Sequence, residues 1–398
     1  MTEMLKGLTV LDFTNNIAGP CTGALLADYG ADVIHIEKPI WGDDCRNFFP
    51  MFDGVGSTHM SVNRTKKSVV MDLKDPAAVE LIKKMVVDAD VLIESSRPGV
   101  MTRLGLGYEQ LKELNPRLVY CSISAFGQTG PAAGKAGYDV IAQAFSGFMY
   151  YTGEADGKPT KITSAIGDFS TAINAFGEIM TALYFREKSG LGQHVDVALA
   201  RTLTWMNASF DHLHTGVQRK RTGNHDSSLC PYGIFERSEG EYIVIGAVNV
   251  NLWQKLCKVM GREDLMTDPK FITNDVRVKN SKEVIALIEE WLRSLPDVYE
   301  AAKLLDAAGV PNCKLYTMDD LLNDPQVAAG GWLQDVPVCK GVTSIQSRKV
   351  PVGLANFSEG TTRVERAPAL GEHSIEIFRK YGLSEEEAVA LENKWNGK

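Results

Sequence analysis

The chain has 398 residues, 44% of them hydrophobic, and a formal net charge of −8. That is enough apolar material for a large core and about two domains, and the acidic balance argues against a general binder of nucleic acid or of membrane surfaces. An anionic ligand would have to be met by local clusters of Lys and Arg. The opening MTEMLKGLTVLDF lacks the charged-then-apolar design of a signal peptide, and no run approaches the ~18 apolar residues of a spanning helix. The seven cysteines are scattered without a C-x-x-C pair, so neither a disulfide framework nor a zinc site is indicated and a reducing cytoplasm is expected. His212 and His214 form an H-x-H without Cys or acidic ligands at metal spacing, and they read as surface or interface histidines.

In chain order, LTVLDFT is a β-rich run, GPCTGALLADYG a helix closed by Gly30, and ADVIHIEKP a strand ended by proline. KKSVVMDLK reads as a strand and PAAVELIKKMVVDA as a helix with Pro76 in its first turn. DVLIESS and RLVYCSISAFG read as further strands. Strands separated by helices predict an α/β fold, a doubly wound and mostly parallel, Rossmann-like sheet. Its ligand sites are expected in the loops at the carboxyl ends of the strands: TNNIAGP, ESSRPG and SAFGQTGP. No G-x-G-x-x-G follows the first strand and no G-x-x-x-x-G-K-[ST] occurs, so a conventional dehydrogenase or nucleotide hydrolase lacks support.

SAIGDFSTAINAFGEIM predicts a helix from the spacing of Phe169, Ala172, Ile173, Phe176, Met180 and Leu183. Taken alone, Asp168 reads as its N-cap, although Thr171 stands where a capping box needs Glu or Gln. ARTLTWMNASFDHLHTG reads as one long helix and VQRKRTGNHDSSLCPYG as a linker or exposed loop. GIFERSEGEYIVIGAV predicts a hairpin turning at Ser238 to Gly240, and NLWQKLCKVMG and SKEVIALIEEWLRSL predict helices. Residues 1–225 are expected to form the first part of a large domain, 226–325 a smaller α/β domain, and 326–398 a return to the large one.

GLTVLDFTNNIAGPCTGALLADYGADVIHIEKP, LIESSRPGVMTRLGLGYEQLKELNPRLVYCSISAFGQTGP, GYDVIAQAFSG, GDFSTAINA, GLGQHVDVAL and RAPALGEHS follow one another across nearly the whole chain. Together they resemble the family III CoA-transferases. The resemblance implies a homodimer of interlocked chains, coenzyme A or acyl-CoA as co-substrate, a carboxylic acid as partner and no metal. It makes Asp168 the nucleophile, passing through an aspartyl anhydride and an aspartyl-CoA thioester. A carboxylate suits that chemistry, and a helix N-terminus would keep it ionised while nearby N–H groups stabilise oxyanions. Capping and catalysis are compatible on this reading.

The resemblance also places Asn16, Ile17, Ala18, Lys38, Met71, Lys74, Ser95, Ser96, Arg103, Leu104 and Tyr138 at CoA-binding positions, and Asn15, Tyr138 and Asp139 near the substrate. Lys38, Lys74 and Arg103 are the cations that CoA phosphates require. Ile17 stands where the formyl-CoA transferases have glutamine, which removes a side-chain amide and departs from their oxalate pocket. Ser95 and Ser96 replace their Asn and Phe, so adenine packing must differ. The related α-methylacyl-CoA racemases share the fold and the G-D-F motif but carry histidine at the position of Tyr138, and a neutral phenol is a poor base near pH 7. A racemase-type isomerase and a non-catalytic CoA-binding protein are the alternatives.

Overall fold

The computed structural model describes residues 3–207, 211–218 and 220–396. Six short runs rich in Val, Ile and Leu build one sheet: β1 (Thr9–Phe13), β2 (Asp32–Glu37), β3 (Lys67–Val70), β4 (Val91–Glu94), β5 (Val119–Ser124) and β6 (His194–Ala198). They lie in the order β3-β2-β1-β4-β5-β6, and every pairing is parallel. The helices that bear on the site are α1 (Ala18–Asp28), α2 (Pro76–Asp88), α3 (Asp139–Phe145), α4 (Ile166–Ser189) and α5 (Leu199–Met206). Parallel strands need covered faces, and their two-residue period supplies two cores. Leu11, Ile34, Val69 and Leu92 pack with Ile82 and Met85 of α2 and with Phe378 and Trp395 of the tail. Val10, Val33, Val91 and Val119 pack with Leu26 of α1, Ala175 and Ile179 of α4 and Leu203 of α5.

Local chemistry sets the element ends. Asp75 accepts the Ala77 N–H and Pro76 occupies the first position of α2, as the sequence predicts. Gly30, at φ +104°, lets the chain leave α1 for β2. From β1 the chain winds outward to β2 and β3, then returns to β4 on the other side of β1. The strand order therefore reverses between β1 and β4, and the carboxyl ends of such strands are where open sheets of this kind form their ligand crevice. The outer edge of β3 is covered by the tail motif GEHS. Ser68 N–H donates to His373 Nδ1 (3.2 Å), Val70 N–H to Ser374 Oγ (3.1 Å) and Gly371 N–H to Ser68 Oγ (2.9 Å), so the edge is not left as a template for another chain.

The chain divides into two compact units, Met1–Phe148 with Ile162–Ala208 and Ala328–Lys398, and Met149–Lys161 with Ser209–Val327. The second unit holds a three-stranded antiparallel sheet in which Tyr232–Ser238 and Glu241–Gly246 form the predicted hairpin and Asn312–Lys314 pairs beside it. Phe235, Ile243, Trp253, Leu256, Ile288 and Leu305 make its core with the helices Val250–Val259, Ser281–Arg293 and Val298–Ala308. The long helix expected from ARTLTWMNASFDHLHTG is corrected. The α5 helix stops at Met206, because Asn207 turns to extended backbone and its amide donates to Ser146 O at 2.8 Å. Residues 208–210 lie outside the described residues, and a separate helix spans Asp211–Thr215. Among the described residues no helix is long and apolar enough to cross a membrane.

Candidate active site

The sheet brings most of the expected residues to one edge. Asn15 N–H donates to Ser95 Oγ at 2.9 Å, which ties the loop after β1 to the loop after β4 at the carboxyl ends of the two strands. The Asn15 side chain meets the loop after β2, its Nδ2 donating to Asp44 Oδ2 (2.5 Å) and its Oδ1 accepting the Asp44 N–H (2.7 Å). Lys38 is ion-paired with the other oxygen of Asp44, so this cation is already engaged. Asn16 has φ +75°, and its N–H donates to Asp43 Oδ1 at 2.9 Å. Ala18, buried, begins α1.

Ser96 N–H donates to Glu94 Oε2 (2.7 Å), and burial pushes the Glu94 carboxyl up to about 7 against the lowering effect of Ser122 and Ser96. Met71 donates its N–H to Glu37 O, while its side chain is in the core at 1% exposure, so its backbone is what it can offer a ligand. Leu104 leans on the same core. Lys74 and Arg103 are exposed and have no carboxylate partner among the described residues, and the Arg103 guanidinium lies over Gly99. Arg97, in the same loop, is a further exposed cation that the sequence reading passed over.

Asp168 is not a cap. The N-cap position of α4 belongs to Ala165, and Asp168 is the third residue of the helix. The capping carboxylate comes from Asp139, at the start of α3, whose Oδ1 accepts the Gly167 N–H at 2.7 Å while Gln143 Nε2 donates to its Oδ2 at 2.7 Å. This approach explains the glycine of G-D-F: a Cβ on Gly167 would stand 2.8 Å from Asp139 Oδ1. The Asp168 carboxylate, half-buried, is left without a hydrogen-bond partner among the described residues. Burial first, and the neighbouring Asp139 charge second, push it up to about 7. The expectation that the helix N-terminus keeps it ionised is thus corrected, since desolvation and a like charge act the other way.

One turn further along α4, Ala172 packs with Cys21 and Cys45, and Ile17 leans on that cluster. The helix that carries Asp168 therefore packs against α1 and the residue before it, and Thr22 Oγ1 donates to Ala172 O at 3.4 Å. Tyr138 precedes α3 and is 66% exposed, outside the core.

Beneath the loop after β1 lies a buried ionic network that the sequence reading missed. Asp12, His35, Glu37, Asp43, Arg46, His59, Asn63 and Lys66 are all 7% exposed or less. Lys66 Nζ donates to Asp12 Oδ2 (2.8 Å), Pro20 O (2.7 Å) and Asn63 Oδ1 (2.7 Å). Arg46 holds Glu37 with two bonds of 2.7 and 2.6 Å. Burial alone would raise these acids, but Lys66 and His35 hold Asp12, and Arg46 holds Glu37, well below the usual carboxylate range. Gly23 is needed here, because a Cβ would fall 2.5 Å from Asp12 Oδ2. The signal available in the sequence was the charged residue inside an otherwise apolar strand, in VLDF and VIHIE.

The family model of CoA-transferase family III matches residues 5–374. The chain belongs to this family. It is 40% identical over 386 residues to the acetyl-CoA:oxalate CoA-transferase of Acetobacter aceti, covering 95% of this chain and 96% of that protein. It is 34% identical over 390 residues to the human succinyl-CoA:glutarate CoA-transferase, covering 97% of this chain and 87% of the other. A CaiB/BaiF family protein from Brucella suis superposes with a TM-score of 0.83 at 35% identity, covering 96% of this chain and all of that one. The CoA-transferase thus has an α/β fold with a parallel central sheet and acts on CoA thioesters.

Proposed function

We propose that this CoA-transferase moves CoA from an acyl-CoA donor to a free carboxylic acid by covalent catalysis at Asp168. The observation that carries the reading is the unpartnered Asp168 carboxylate in the first turn of α4, with the capping task taken by Asp139. In the first step a carboxylate oxygen of Asp168 attacks the thioester carbonyl, the C–S bond breaks, and an aspartyl anhydride and the CoA thiolate result. The thiolate attacks the aspartyl carbonyl, expelling the donor acid as its carboxylate and leaving an aspartyl-CoA thioester. The acceptor carboxylate attacks that carbonyl and releases the thiolate, which takes the acceptor's acyl group and restores Asp168. Protons and water are not consumed. The raised carboxyl fits a nucleophile that must ionise near neutral pH and is not spent in a salt bridge.

CoA is assigned to the crevice at the carboxyl ends of β1 to β4, with Asn16, Ile17, Ala18, Met71, Ser95, Ser96, Leu104 and Tyr138 along it and Lys38, Lys74 and Arg103 toward its phosphates. Asn15, Tyr138 and Asp139 face the acids. The acceptor class is a short dicarboxylate, supported by the oxalate and glutarate named for two relatives. A homodimer is supported by α4, which leaves Phe169, Ile173 and Tyr184 exposed at 41%, 48% and 65% on one helical face. The test is a panel of acyl-CoA donors, succinyl-CoA among them, against mono- and dicarboxylates, read by mass spectrometry. New thioesters of dicarboxylic acids are expected. Proton exchange at the α-carbon of a 2-methylacyl-CoA without any CoA transfer would overturn the reading.

A further inference from the structure

Asn16 adopts a left-handed backbone, with φ +75°, that side-chain-bearing residues seldom occupy without support. Its support is a buried carboxylate. Asp43 Oδ1 accepts the N–H groups of Asn16 (2.9 Å) and Cys45 (3.1 Å), and Asp43 Oδ2 accepts Asn63 Nδ2 (3.0 Å). Behind Asp43 stands His35, in β2 and 0% exposed, with Nε2 at 3.6 Å from Asp43 Oδ2, an ion-pair rather than hydrogen-bond distance. The other ring nitrogen, Nδ1, lies 3.2 Å from Asp12 O and 3.3 Å from Asp12 Oδ2. Asp12 is fixed in turn by Lys66 and accepts Thr14 N–H at 2.9 Å, two residues before Asn16. Cation and anion alternate from Lys66 through Asp12 and His35 to Asp43, and both ends of the chain of contacts reach the loop after β1.

We propose that His35 is a positioning residue which, through Asp43, holds Asn16 in its left-handed conformation and so presets the loop from Asn15 to Ala18 for acyl-CoA. This rests on the reading that the loop borders the thioester. The charges that face the ring are Asp12 from β1, Asp43 from the following turn and Glu37 from its own strand. Burial would lower the imidazole, but these carboxylates raise it to about 9, so the ring is an imidazolium at neutral pH. A loop fixed before ligand arrives spares the ordering entropy that a mobile one loses on binding.

Two substitutions separate the two ends of the ring. In His35→Gln the amide nitrogen falls near Nε2 and keeps a donor toward Asp43; in His35→Asn it falls near Nδ1 and keeps only the contact with Asp12. The Asn variant is expected to raise the KM for acyl-CoA and weaken CoA binding in calorimetry roughly tenfold, with kcat changed less than about threefold, and the Gln variant, which keeps a donor toward Asp43 but not the charge, to lose measurably less. Equal CoA affinity in the wild type and a folded Asn variant would overturn the proposal alone, as would equal losses in both variants. A wild type that binds no CoA would overturn the functional reading together with it. A measurement on the wild type needs no variant to fold: the Asn16 amide should exchange hydrogen slowly without ligand and gain little protection from CoA. Free-loop exchange that slows only on CoA addition would refute the preset loop.

Discussion

Two groups of carboxylates in the first unit have opposite surroundings. Asp12, Glu37 and Asp43 are buried and each faces a cation, Lys66, Arg46 or His35, and their affinity for protons is held down. Asp139 and Asp168 face each other with no cation paired to either among the described residues, and Asp168 is pushed up to about 7. In the first group each carboxylate oxygen accepts at least one hydrogen bond, so the charge fixes geometry. In the second, the geometric task is concentrated in one carboxylate, Asp139, and the other is left without a partner, as the proposed nucleophile would need. Burial therefore lowers or raises a carboxyl's hold on its proton depending on whether the counter-charge is built in.

The sharpest break of this comparison is Asp168→Asn, which should fold normally yet lose transfer roughly 10³-fold or more, because an amide cannot open the anhydride cycle. Its pH dependence has a definite sign. A carboxyl raised to about 7 from about 3.9 in the unfolded chain stabilises the fold fully below the lower value, and that contribution is lost as pH rises through the upper one. Urea titrations should find the Asn variant gaining on the wild type between pH 4 and pH 8. In the scaffold group, Lys66→Met leaves Asp12 short of its closest cation and should cost about 3–5 kcal/mol in the same assay. Asp139→Asn keeps an oxygen for the Gly167 N–H but removes the like charge. The acid limb of kcat/KM, expected near 7 for the wild type from the raised Asp168 carboxyl, should move to lower pH, and an unmoved limb would remove Asp139 as the coupled group. Least of all, Arg103→Ala should weaken CoA binding about two- to fivefold, more at low salt than at high, since this cation is exposed.

Much of the first unit was legible because its punctuation is local. Pro76, Gly30 and the hydrophobic runs mark helices and strands without reference to distant residues. The identity of the cap was not legible, because Asp139 lies 28 positions before the Gly167 N–H it binds. Asp168 itself stood in the pattern of a cap, and the difference between positions 165 and 168 depends on where the helix begins. The ionic network was hidden for the same reason. Lys66 meets Asp12 across 54 positions, and Arg46 and His59 both reach Pro368 O across more than 300. The exposed apolar face of α4 reads in sequence like any buried stripe. Periodicity shows which side of a helix is apolar but not what covers it.

The central claim is that Asp168 forms covalent bonds to both halves of the donor. Wild-type protein incubated with succinyl-CoA and no acceptor, quenched with hydroxylamine and digested, should yield a peptide containing Asp168 as its hydroxamate. Without the quench, mass spectrometry should find a CoA adduct on the same peptide, and the Asn variant should show neither. An adduct mapped to another residue, or turnover with no adduct and near-wild-type activity in the Asn variant, would contradict the account.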